Sequence, residues 1–157
     1  IISTPAINLV VPTKKQPKKA TRSKKHVYIP QEVMQKIFER FPEGSSAYIP
    51  IMIGYHTGLR LGEIYGLVWE DIDFESGIIS VTKTLYYKSM NEYTFVDPKT
   101  SASIRTVVID KDTIRELKDW MEVQKKVLKD CNFVLSYSGI PTSKHTLPRA
   151  LDRKSVV

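Results

Sequence analysis

The run Thr57-Gly58-Leu59-Arg60-Leu61-Gly62-Glu63-Ile64-Tyr65-Gly66-Leu67-Val68-Trp69-Glu70-Asp71-Ile72-Asp73 decides how this chain is understood. Gly58 marks a break, Arg60 stands at the helix start that follows, and Glu63 lies three residues on along the same helical face. An arginine fixed there presents a planar set of N–H donors suited to a phosphate, and the carboxylate can hold that set in place. An arbitrary Arg-x-x-Glu is a surface ion pair of little energetic weight. Here the neighbouring residues give it a second meaning.

Working outward, Pro30 opens a helix whose Val33, Met34, Ile37, Phe38 and Phe41 form one apolar stripe, ended by Pro42-Glu43-Gly44. A second helix, about 46–55, turns Ile49, Met52 and Ile53 inward, with Pro50 tolerated in its first turn. Gly58 breaks it, and a third helix from Arg60 to Leu67 faces Leu61, Ile64, Leu67 and Val68 inward. Gly62 and Gly66 on that helix permit a close helix contact. Three strands follow: residues 77–81, with a pattern that allows extension toward Leu85, then 93–96 and 104–109. Residues 98–103 join the last two as a hairpin turn would. Asp110 is the N-cap of a long helix to about Leu128, with Ile114, Leu117, Met121 and Leu128 on one face. Phe133-Val134-Leu135 and a Gly-Pro-Ser turn lead to a last helix, about 146–153. The order gives an α+β fold, mainly helical, with a small three-stranded antiparallel sheet formed as a meander.

A chain of 157 residues fits one domain, and its single cysteine, Cys131, excludes an intramolecular disulfide. The sequence holds no apolar run of membrane-spanning length and no signal-peptide pattern, so a cytoplasmic location is expected. The net charge of +7 is concentrated in residues 1–26, where Lys14, Lys15, Lys18, Lys19, Arg22, Lys24 and Lys25 stand with no acidic residue. Pro5, Pro12 and Pro17 and the absence of amphipathic period make that segment a basic linker. A basic arm on a near-neutral body suits either a tether to a polyanion such as nucleic acid or a solvated linker, and charge alone does not choose between them.

A second mark stands downstream: Pro98-Lys99-Thr100-x-x-Ser103-x-Arg105. Together with the Arg60 run, this pattern resembles the tyrosine recombinases of the phage-integrase family. By that resemblance Arg60 is the first phosphate-clamping arginine and Glu63 the acidic residue supporting it. Lys99 is then the general acid that protonates the departing 5′ oxygen, and Arg105 a further DNA contact. The resemblance implies DNA cleavage and rejoining through a 3′-phosphotyrosyl link, site-specific integration or excision of a mobile element, and a homo-tetramer on double-stranded DNA. It implies neither cofactor nor metal, and no small-molecule substrate. Residues 1–26 correspond to the interdomain linker, which assigns Lys18, Lys19, Arg22, Lys24 and Lys25 to DNA-backbone contact, and 27–157 to the N-terminal part of the catalytic domain.

The family's later His-x-x-Arg box and its nucleophilic tyrosine have no counterpart within these residues, so the 157 residues alone are expected to be inactive. In His145-Thr146-Leu147-Pro148-Arg149 the arginine falls one place late, and Pro148 sits where the box continues as helix. None of the tyrosines follows a second box; Tyr55 and Tyr65 are expected to pack beside the arginine turn, and Tyr86, Tyr87 and Tyr93 to belong to the strands. His26 and His56 lack partners at metal-ligand spacing, and Asp71, Asp73 and Glu75 make a polar turn better than a metal cluster. The rival function is a non-catalytic DNA-binding module on the same fold.

Overall fold

The computed structural model describes residues 29–89, 92–97 and 103–154. The basic linker and Lys99 lie outside the described residues. Helix α1, Gln31–Arg40, begins directly after Pro30, whose extended backbone and missing N–H suit the position. Its inward face is narrower than the sequence pattern implies: Met34 and Phe41 are buried, Ile37 and Phe38 are partly covered, and Val33 is exposed.

Helix α2, Tyr48–Thr57, is apolar around most of its circumference and buries Ile49, Ile51, Met52 and Ile53. It stops at Gly58, whose φ of 65° closes the helix in the left-handed region that a side chain disfavours. Helix α3 is a single turn, Leu61–Ile64, shorter than the expected run to Leu67. Its glycines lie against the β3 strand. A Cβ on Gly66 would stand 3.0 Å from the Leu85 backbone nitrogen, and one on Gly62 would stand 2.7 Å from Thr84 Cγ2. Both glycines admit a strand against the turn, and the expected helix contact gives way to a strand contact.

The strands are β1, Ile72–Asp73; β2, Ile78–Val81; β3, Thr84–Tyr87; β4, Tyr93–Val96; and β5, Arg105–Val108. They do not form the expected meander. One antiparallel sheet has the order β1-β2-β5, and β3 pairs with β4 in a separate two-stranded ribbon. The three-stranded sheet is therefore present with different members. The expected extension of the 77–81 strand to Leu85 is interrupted at Thr82-Lys83, after which the chain enters the ribbon. β4 meets β3 and β5 meets β2, so β4 and β5 are not partners; residues 98–102, expected as the hairpin turn, lie outside the described residues.

Within β2, buried Ile79 and Val81 alternate with half-buried Ile78 and Ser80. In β5, Arg105 and Val107 share the more buried face and Thr106 and Val108 the exposed one. Arg105 thus stands beside a core residue, at the end of the sheet where it pairs with Val81.

Helix α4, Lys111–Val127, starts as expected at Asp110, whose carboxylate accepts the Thr113 N–H at 2.7 Å. Its buried positions are Thr113, Leu117 and Gln124, while Met121 stays half-covered. Gln124 is buried because its amide is fully used: it accepts from Trp69 Nε1 at 2.8 Å and donates to the carbonyls of Phe133 and Ser136, each at 3.0 Å. Helix α5, Thr146–Lys154, places Leu147, Ala150 and Leu151 on the small core beneath α1. The main core collects α2, α3, the β2 strand, Leu85, Leu117 and Val134-Leu135. Among the described residues no helix is long and apolar enough to cross a membrane.

Candidate active site

The left-handed turn at Gly58 sets Arg60 as the N-cap of α3, with extended backbone. Glu63 occupies the third helical position and reaches back to the start of the turn, as the acidic half of a capping box does. Its Oε2 accepts the Arg60 backbone N–H at 2.7 Å and its Oε1 accepts Arg60 Nη1 at 3.0 Å. Arg105 approaches the same carboxylate from β5, with Nη1 donating to Oε1 at 3.0 Å and Nη2 to Oε2 at 2.9 Å. Each carboxylate oxygen therefore accepts one bond from each arginine. Arg105 Nη1 also donates to the Ser103 carbonyl at 3.3 Å, at the edge of the segment that contains Lys99.

Burial differs sharply across the three residues. The side-chain exposure is 5 % for Glu63, 31 % for Arg105 and 72 % for Arg60. Burial by itself would raise the Glu63 carboxyl. The bonds from the Arg105 side chain, the Arg60 backbone N–H and the Arg60 side chain outweigh it and lower the value to about 2. Glu63 is thus ionised throughout the neutral range, and hydrogen bonding to it raises the Arg105 guanidinium above its ordinary value. The three formal charges sum to one positive charge, carried outward by the exposed member.

The arrangement brings together Arg60, Glu63 and Arg105 from the sequence expectations. Lys99, Lys18, Lys19, Arg22, Lys24 and Lys25 lie outside the described residues. Arg105, expected as a DNA contact, has both terminal nitrogens on Glu63. A signal for that was present in the sequence: the period of two in β5 sets Arg105 in phase with Val107, on the inward face.

Other candidates resolve into structural parts. Asp71 accepts the Val68 N–H at 3.0 Å and pairs with Lys83 Nζ at 3.0 Å. Asp73 holds the following turn, accepting from Ser76 Oγ and from the N–H groups of Ser76 and Glu75, at 3.2 and 2.9 Å for the latter two. Those bonds, led by Ser76, keep the Asp73 carboxyl below the ordinary carboxylate range. No group of three His, Cys, Asp or Glu side chains able to hold a metal occurs among the described residues. Tyr65 is buried, and burial pushes its phenol up, away from ionisation at neutral pH. Tyr55 is exposed, against the expectation of packing, and lies edge-on to Phe38 and His56. Tyr87 donates to the Pro141 carbonyl, and His56 Nδ1 stands 3.5 Å from the Asp110 carboxylate. His145 is exposed at the start of α5.

The site is thus an exposed arginine held by a buried carboxylate on a small α+β core. The profile described as the phage integrase family matches residues 28–154, and the chain belongs to that family. It is 27 % identical over 139 residues to the ICEBs1 integrase of Bacillus subtilis, an alignment covering 83 % of this chain and 37 % of the relative. To the prophage integrase IntR of Escherichia coli it is 42 % identical over 64 residues, covering 41 % of this chain and 15 % of the relative. The chain thus spans well under half the length of these curated relatives. Among solved structures, the Tn1549 transposon integrase in complex with a circular intermediate DNA superposes with a TM-score of 0.69 at 22 % identity, over 83 % of this chain and 44 % of that one. The XerA recombinase gives 0.59 at 18 % identity, over 83 % and 44 %. These structural likenesses establish the fold.

Proposed function

We propose that these residues supply the first half of the active site of a tyrosine recombinase that cuts and rejoins double-stranded DNA during integration or excision of a mobile element. The observation that carries this reading is Arg60, tied at its backbone and at one guanidinium nitrogen to a buried carboxylate while 72 % of its side chain is exposed. A cation fixed before its ligand arrives needs little reorganisation as negative charge builds on a phosphate, and this form of stabilisation often dominates such catalysis. The relatives named above are the ICEBs1 integrase and a prophage integrase, which supports the same reading.

In the reaction, a tyrosine hydroxyl outside this chain attacks the phosphorus and forms a 3′-phosphotyrosyl bond. The bond to the 5′ oxygen breaks, and that oxygen takes a proton from Lys99. Arg60 binds the nonbridging oxygens, and Glu63 holds Arg60. The second DNA end reverses the step, so the bond energy is conserved and no nucleotide cofactor enters. The functional assembly is a homo-tetramer on DNA, with residues 1–26 as a linker laying Lys18, Lys19, Arg22, Lys24 and Lys25 along the backbone and 27–157 as the N-terminal part of the catalytic domain. The 157 residues alone bind DNA and do not cleave it.

The test is single-turnover cleavage of a nicked duplex by a longer parent protein carrying the nucleophile. Arg60→Ala nearly abolishes cleavage, and Lys99→Ala slows it by about 10²–10⁴-fold, the range of general-acid help. A Lys99→Ala parent that cuts at the unchanged rate would sink the acid assignment. A covalent DNA adduct on the 157-residue chain would sink the claim that it lacks the nucleophile.

A further inference from the structure

The buried carboxylate poses an electrostatic problem that Arg60 alone does not solve. One glutamate and one arginine form a pair with no net charge, which weakens its attraction for a phosphate, and a carboxylate gripped from one side can still rotate about its last torsion. Arg105 removes both defects. Its two terminal nitrogens meet the two oxygens of Glu63 at 3.0 and 2.9 Å, the two-pronged geometry that fixes a carboxylate's plane. That plane is what aims Oε2 at the Arg60 N–H and Oε1 at Arg60 Nη1.

We propose that Arg105 is a positioning residue for the phosphate clamp: it acts on DNA through Glu63 and Arg60 and does not itself touch the phosphate. Three placements carry this. Arg105 lies on the inward face of β5, in phase with Val107 and beside Val81, so the sheet delivers its guanidinium to the core side of α3. Its exposure is less than half that of Arg60, and both terminal nitrogens are engaged by Glu63. Its third bond, to the Ser103 carbonyl at 3.3 Å, ties the same side chain to the start of β5. One residue therefore joins the sheet to the arginine turn across 42 positions of sequence. Lysine offers a point charge on a flexible stem and cannot reproduce a two-nitrogen grip.

This inference rests on the reading of Arg60 as a phosphate ligand, and the experiment separates the two. Binding of a 20-base-pair duplex to the 157-residue chain is measured at fixed low salt for the wild type, Arg60→Gln, Arg105→Gln, Arg105→Lys and the double variant Arg60→Gln/Arg105→Gln. Thermal melts confirm folding of each. Arg60→Gln weakens binding by about tenfold, the worth of one charge-assisted hydrogen bond. Failure of that arm alone defeats the phosphate-ligand reading. Arg105→Gln costs about five- to tenfold in the wild-type background and under about twofold once Arg60 is glutamine, because its effect passes through Arg60. Equal losses in both backgrounds would place Arg105 on the DNA and overturn the proposal.

Arg105→Lys keeps the charge and decides the matter if Arg105→Gln does not fold. It retains under about half of the wild-type affinity and displaces the Arg60 backbone amide resonance, whose proton bonds to Glu63 Oε2. An unmoved Arg60 amide with full affinity would show that only charge matters at 105, which also overturns the positioning role.

Discussion

The two ends of α2 use the same residue type in opposite ways. At the C-terminal end, after Gly58, the Glu63 carboxylate is buried and neutralised by two arginines, one of which faces solvent. At the N-terminal end, Tyr48 donates to Glu116 beside a cavity of about 420 Å³ lined by Glu43, Glu116 and Asp119 and by the rings of Tyr48, Trp120 and Tyr137. Among the described residues no basic side chain lines that cavity. Ten residues of helix, roughly 15 Å at 1.5 Å per residue, separate a site with one net positive charge from one with three carboxylates. The two ends of α2 thus carry opposite local charge, an arrangement that would draw a polyanion to one end and turn it from the other.

The largest break in that comparison is expected from Glu63→Ala. It leaves Arg105 half-buried without its partner and frees the Arg60 turn, costing about 3–5 kcal/mol of stability, measurable by denaturant unfolding. A conservative version sharpens the point. A carboxyl held at about 2 contributes stability that is complete above its unfolded value near 4.5 and disappears as pH falls towards 2. The wild type should therefore lose stability across that window, and Glu63→Gln should lose less of it. Next in size is Gly66→Ala, where the new Cβ meets the Leu85 backbone nitrogen at 3.0 Å and the Gly62 carbonyl at 3.1 Å. Neither backbone atom yields easily, and a cost of about 1–3 kcal/mol is expected, with α3 displaced from β3. At the far end, Glu116→Gln should change stability by no more than about 0.5 kcal/mol. Its mark is spectroscopic: the Tyr48 phenol, pushed up by burial and then by Glu116, moves back towards its ordinary value in an ultraviolet titration.

Local features were legible in the sequence because local chemistry fixes them. Pro30 before α1, Gly58 after α2, Asp110 before α4 and the strand at Tyr93–Val96 all follow from one residue's backbone preference or from a short alternation. Strand partnership was not legible. β2 pairs with β5 across the β3–β4 ribbon, and nothing within either strand records that choice. Burial along α4 was misjudged for a similar reason: Gln124 goes inside because carbonyls of Phe133 and Ser136, brought by a distant turn, satisfy its amide. For the site, Arg60 and Glu63 share one helical turn and could be paired from spacing alone. Arg105 could be recognised as their neighbour only after the sheet set its face.

The central claim is that Arg60 meets a phosphate because Glu63 holds it and Arg105 restores its charge. It is tested most directly by the salt dependence of duplex binding for Arg60→Ala beside Lys126→Ala, which removes the same charge from the exposed last turn of α4. Arg60→Ala should weaken binding by about tenfold and flatten the slope of log affinity against log salt by about one, while Lys126→Ala should leave both nearly unchanged. Indistinguishable curves for the two variants would contradict the account.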